Sequence, residues 1–153
     1  MILRAFRSDR RGGPAVEVAL AFPMLLVVLG NLVDYGLMLR RNAQLANGVS
    51  NAAQYAALKG ADVAAATLQS IATSSSWLTG ATASANAAAC YCPTGSTRMT
   101  LGTAVACTTT CTSGQLAQKY VTVTASYAFT PTMPGVTGLG ARTLTASATV
   151  IVR

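Results

Sequence analysis

From Val18 to Val33 the chain carries no charged residue, and with its apolar flanks this run is long enough to cross a bilayer as a helix. Pro23 lies inside it and removes one backbone donor, which predicts a bend or a loosened turn of the kind that membrane helices tolerate. Asn31 and Asp34 mark the outer end, where Asp34-Tyr35-Gly36 sets an acid and an interfacial aromatic at headgroup level. Asp34 reads there as a solvated interface residue rather than as a second buried charge. Beyond Arg41 the apolar positions change spacing instead of stopping. Leu45, Val49, Ala52, Ala53 and Ala56 follow the i, i+4, i+7, i+8, i+11 pattern of one helix face. One helix is therefore expected from about Pro14 to Leu58, with Gly60 as its stop and a length of roughly 65 Å at 1.5 Å per residue. Asp62 is placed to cap a second, shorter helix through Thr73, with Val63, Thr67 and Ile71 on its buried side. Residues 74–89, built of Ser, Thr, Ala and Gly around Trp77, read as loop.

The last third changes period again. Val121, Val123, Ala125, Tyr127 and Phe129 alternate with Thr122, Thr124, Ser126 and Ala128, as a half-buried strand requires. Leu144, Ala146, Ala148, Val150 and Val152 repeat the alternation, giving strands at 120–129 and 143–153. Pro131, Pro134, Gly135, Gly138 and Gly140 form a breaker-rich connection between them. Val105, or Met99 to Leu101, is a candidate for a further strand. The fold class that follows is α+β: a long N-terminal transmembrane helix continues into an exported amphipathic helix packed on a small antiparallel sheet. By domain, residues 1–12 are a basic, disordered leader and residues 13–39 the transmembrane helix. Residues 40–153 are the exported domain, with a cysteine-bearing loop at 86–115.

Composition narrows the setting. Of the 153 residues 52% are hydrophobic and only 10% charged, too few charges for an ordinary soluble surface. The formal charge of +7 would suggest nucleic acid if it were spread over a domain. Arg4, Arg7, Arg10 and Arg11 against Asp9 leave +3 in the first eleven residues, so a chain beginning at Gly13 keeps +4. Those arginines act on topology: the four before the span outnumber Arg40 and Arg41 after it, which places the N-terminus in the cytoplasm and the rest on the far side. A cleavable secretory peptide would use Val18 to Leu29 as its apolar core, but Leu29-Gly30-Asn31 is a poor cleavage site.

The four cysteines stand at 90, 92, 107 and 111, and the chain has no histidine. A metal site would need all four thiolates, and the CxC…CxxxC spacing lacks the knuckles of structural zinc. In an oxidising compartment two disulfides are the better reading. Cys90 and Cys92 are too close to bridge each other comfortably, which leaves Cys90–Cys107 with Cys92–Cys111, or Cys90–Cys111 with Cys92–Cys107. Catalysis is disfavoured: a nucleophilic cysteine would have no histidine base, and Asp9, Glu17, Asp34 and Asp62 are scattered rather than paired. No cofactor is expected.

Glu17 is the residue that most needs an explanation, because an ionised carboxylate at the centre of a bilayer costs about 2.5–3.5 kcal/mol even on lenient scales. A cut between Gly12 and Gly13 would create an ammonium four residues before it. This arrangement resembles a class III signal, the substrate of a prepilin peptidase. As a simple signal anchor, the same glutamate would merely sit among headgroups near Arg10 and Arg11.

Taken together, Arg11-Gly12, Ala15-Val16-Glu17, Ala19-Leu20, Pro23, Asp34-Tyr35-Gly36, the helical stretch Ala52 to Ala57, Val121 to Tyr127 with Pro131, and a Thr-Ala-Ser-Ala final strand resemble the TadE-like pseudopilins of the tight-adherence (Flp) pilus and related secretion systems. Residues 60–118 match no such pattern, and Val18 stands where the family often has an aromatic residue. The resemblance implies a non-enzymatic minor pilin-like subunit of the bacterial inner membrane. Its N-terminus would be cytoplasmic and its C-terminal domain periplasmic, and it would be processed at Gly12–Gly13 by a prepilin peptidase. In such families Glu17 would meet the N-terminal amine of a neighbouring subunit during assembly. The implied partners are membrane lipid, other pilin or pseudopilin subunits and the pilus assembly machinery, with no nucleic acid. The competing readings are a signal-anchored envelope or adhesin domain and a major filament-forming pilin.

Overall fold

A computed structural model describes residues 13–94, 100–133 and 138–153. The leader at 1–12, Gly12 included, and Met99 lie outside the described residues. Helix α1 (Gly13–Lys59) runs without interruption through Pro23. It is followed by α2 (Ala65–Ser76) and by six strands, β1 (Thr82–Ala85), β2 (Ala89–Tyr91), β3 (Pro93–Thr94), β4 (Thr100–Leu101), β5 (Gln118–Phe129) and β6 (Arg142–Ile151). This is the α+β arrangement that the periodicities predict. The chain divides into two compact units, residues 1–38 with 130–141, and residues 39–129 with 142–153.

In the second unit β5 is the central strand. Its full length pairs antiparallel with β6, in a register that sets Thr122 opposite Thr149 and Tyr127 opposite Leu144. Its other edge takes β2 at residues 118–120 and β1 at residues 123–126, also antiparallel. Asn86 fills the gap between those two short strands: its Oδ1 accepts the Thr122 N–H at 2.6 Å, and its own N–H donates to the Thr122 carbonyl. The apolar alternation sets the inner face, where Val121, Val123, Ala125 and Phe129 are buried on β5, and Leu144 on β6. Threonine and serine occupy the other face, with Thr82 and Ser126 sharing a 2.8 Å hydrogen bond and Thr122 and Thr149 one of 3.0 Å.

The helical part of the same unit carries the expected stripe, since Leu45, Val49, Ala52, Ala53 and Ala56 are all buried. Gly60 ends α1 in a left-handed conformation with φ 87°, donating its N–H to the Ala56 carbonyl. The next N–H, of Ala61, goes to the Arg153 carbonyl. That bond corrects the expected start of α2. It holds residues 61–62 in a turn, so the helix begins at Ala65 with Ala64 as N-cap, without a side-chain cap, and Asp62 caps nothing. The buried side is also corrected, from Val63, Thr67 and Ile71 to Leu68, Ala72 and Ser76. Gly48 of α1 explains that choice: a β-carbon there would run into the Ala72 carbonyl oxygen and lie 3.0 Å from Ser76 atoms. Two helices approach this closely only with small residues between them.

Residues 74–89 are not the loop that their composition suggests. The helix continues through Ser76, Trp77 follows as a left-handed cap at φ 55°, and β1 and the start of β2 are strands. Small Thr, Ala and Ser side chains hide the alternation from a hydrophobicity reading, while the exposed edge of β5 supplies the partners that make them strands. Of the further-strand candidates, Thr100–Leu101 pairs with Pro93–Thr94 in a separate two-stranded sheet, and Val105 makes one bridge to Cys90.

Candidate membrane and assembly surface

Among the described residues α1 is the one helix long and apolar enough to cross a membrane. Only 6% of its apolar window is buried, which separates it from the core helix of a soluble fold, where the same residues would be enclosed. Val16, Val18, Leu20, Phe22, Met24, Leu25 and Leu26 are all exposed, on every side of the helix, so this stretch presents an all-round apolar surface. Gly13 is the first residue of α1 and Glu17 lies four positions on, on the same face. Glu17 is exposed, and among the described residues nothing bonds its carboxylate.

Toward the C-terminal end of the charge-free run polar groups enter in a defined order. Asn31 Nδ2 donates to the Val27 carbonyl one turn back at 2.9 Å, so its amide is satisfied within the helix. Asp34 overturns the expectation of a solvated interface residue, because it is only 1% exposed. Its Oδ1 accepts the Thr132 N–H at 2.9 Å and its Oδ2 the Met133 N–H at 3.3 Å. A carboxylate removed from water needs compensating donors, and two consecutive main-chain N–H groups provide them. Sequence reasoning missed this pairing because the donors belong to the breaker-rich connection, 98 and 99 residues further along. The only signal in the sequence was an acid standing directly beside a charge-free run.

The cysteines come together in the second unit as Cys90–Cys107 and Cys92–Cys111, with Cα separations of 5.1 and 5.4 Å. This is one of the two pairings that spacing left open, and it occupies all four sulfurs. Cys90, Cys111 and Ala117 are buried together, with Cys92 and Val105 packed against them. Around them Cys111 N donates to the Gln115 carbonyl and Gly114 N to the Cys111 carbonyl, closing a tight turn that uses the left-handed Gly114. Five small residues are too little core to hold such a loop alone, and two cross-links supply the rest.

In comparison with known families, the family described as TadE-like protein matches residues 12–61. That range covers Gly12, Gly13, Glu17, the apolar helix, Asp34 and the buried stripe through Ala56, and it ends one residue past the helix-ending Gly60. No curated protein and no solved structure matches the chain.

Proposed function

We propose, from the match of residues 12–61 to the TadE-like family, that the chain is a minor pilin-like subunit, a pseudopilin, acting in assembly of a tight-adherence pilus or a related secretion machine. The leader through Gly12 is removed by a prepilin peptidase, leaving Gly13 with a free ammonium at the head of α1. The apolar half of α1 then lies in the inner membrane, while the disulfide-stapled domain faces the periplasm. Its role is structural and uses no cofactor. Assembly replaces lipid around the helix with the helices of other subunits. That exchange is permitted because the surface is apolar on all sides, and directed because Glu17 is its one charge before Asp34. The carboxylate of one subunit meets the Gly13 ammonium of the next.

The observation that carries this reading is the exposed Glu17, one helical turn from Gly13 and just before the charge-free run of α1, within the matched segment. N-terminal sequencing of protein recovered from membranes is expected to begin at Gly13; an intact Met1 would favour a signal-anchored envelope domain. Glu17→Gln removes the charge at nearly constant volume and helix propensity. The mutant is expected to accumulate in membranes normally but not to co-purify with the pilus machinery. An ammonium left unpaired in a low-dielectric interface costs roughly 3–5 kcal/mol. Normal co-purification would reduce Glu17 to an interfacial acid.

A further inference from the structure

The first unit holds a surface that a simple spanning helix does not need. Thr130 to Ala141 contains no charged residue, although the chain beyond Arg40 carries six cations and Arg142 follows the segment directly. Asp34 pins this segment to α1 through Thr132 and Met133, just where the charge-free run of the helix ends. Pro131 is buried, yet the Met133 side chain is left 48% exposed. Beside it on the helix, Leu32, Val33 and Tyr35 are more than half exposed. Leu139 and Gly138 close a cavity of about 360 Å³ with Asn31, Leu32 and Tyr35. Gly138 has φ 65°, so the turn that brings Leu139 to the helix favours glycine there.

We propose that residues 130–133 and 138–141 form a second contact with the bilayer, seated at the boundary of headgroups and acyl chains beside the outer end of α1. The proposal rests on α1 spanning the membrane, as argued above. The occupant is lipid because the exposed residues lie beside the end of the apolar stretch of α1 and match the chemistry of a bilayer boundary. Met133, Leu32 and Leu139 suit the acyl region, while Tyr35, three residues further along the helix than Leu32, suits the headgroup level. Irregular backbone in hydrocarbon would leave polar groups unsatisfied, and the Asp34 carboxylate answers two of the N–H groups at this point. The seating is therefore shallow.

The described cysteines are all in disulfides, so one introduced cysteine labels alone. Full-length protein with Met133→Cys, or with Thr132→Cys as a second position on the segment, is labelled with an environment-sensitive fluorophore. It is reconstituted at one chain per nanodisc in phosphatidylcholine and phosphatidylglycerol. Leu26→Cys in the apolar helix and Thr145→Cys on the exposed face of β6 are the references. Nitroxides on the headgroup and on a shallow acyl carbon are expected to quench positions 132 and 133 well beyond position 145, and a deep acyl nitroxide to quench position 26 most. Water-like signals at both 132 and 133 with a quenched position 26 would overturn the proposal and assign the surface to a protein partner. A water-like signal at position 26 would overturn the spanning helix itself, and the loop contact with it.

Discussion

A carboxylate that accepts two consecutive main-chain N–H groups cannot be shortened without leaving both donors dry. Asp34→Ala is therefore expected to destabilise the protein by about 3 kcal/mol, as each lost charge-assisted bond contributes roughly 1.5–3 kcal/mol and relaxation recovers part. Asp34→Asn keeps one acceptor oxygen and is expected to fall between alanine and wild type. Thermal unfolding in detergent orders the three; an alanine variant as stable as wild type would mean that the pairing is not holding the segment. The two acids of α1 thus differ in kind, Asp34 being buried and bonded to main-chain N–H groups and Glu17 exposed, with no bond to its carboxylate among the described residues. Both were visible in the sequence as acids flanking an apolar run. The sequence reading misplaces Asp34, since a carboxylate looks solvated until its distant donors are known.

Among the elements, α1 was the most legible, because its buried stripe repeats at helical spacing with residues of one character. Strands β5 and β6 were legible for the same reason at period two, whereas β1 and β2 exist by virtue of their neighbour β5 and carry no pattern of large apolar residues. The contact of α1 with α2 was also invisible, since it depends on an absence of side chain at Gly48. It is testable by contrast. Gly48→Ala places a methyl group against the immobile Ala72 carbonyl and should destabilise by about 1–3 kcal/mol. Gly36→Ala, with nothing within 4 Å of its new carbon, should leave stability unchanged or raise it by up to about 1 kcal/mol from helix propensity. The denaturant midpoint is expected to fall for Gly48→Ala and not for Gly36→Ala. A Gly48→Ala midpoint at or above that of wild type would show that Gly48 is not a packing position.

For the whole molecule, the cysteine loop is the part held by covalent bonds where burial is thin. Cys90–Cys107 and Cys92–Cys111 close intervals of 17 and 19 residues, and each contributes roughly 3 kcal/mol in the chain-entropy account. Reduction is expected to speed amide hydrogen exchange across residues 100–117 while leaving Leu45 to Ala56 protected. Equal loss in both regions would mean that the loop and the helix unfold as one. That the four cysteines form two bridges was legible from compartment and spacing; which sulfurs meet was not, because the pairing is fixed by Cys90 on β2 lying beside Val105. The Asp34 contact has a different consequence, in time. Ribosomes add about 5–20 residues per second, so Asp34 emerges roughly 5–20 seconds before its first donor, Thr132, exists. During that interval the carboxylate belongs to water, and this part of the helix is set only when the segment that follows Phe129 returns to claim it.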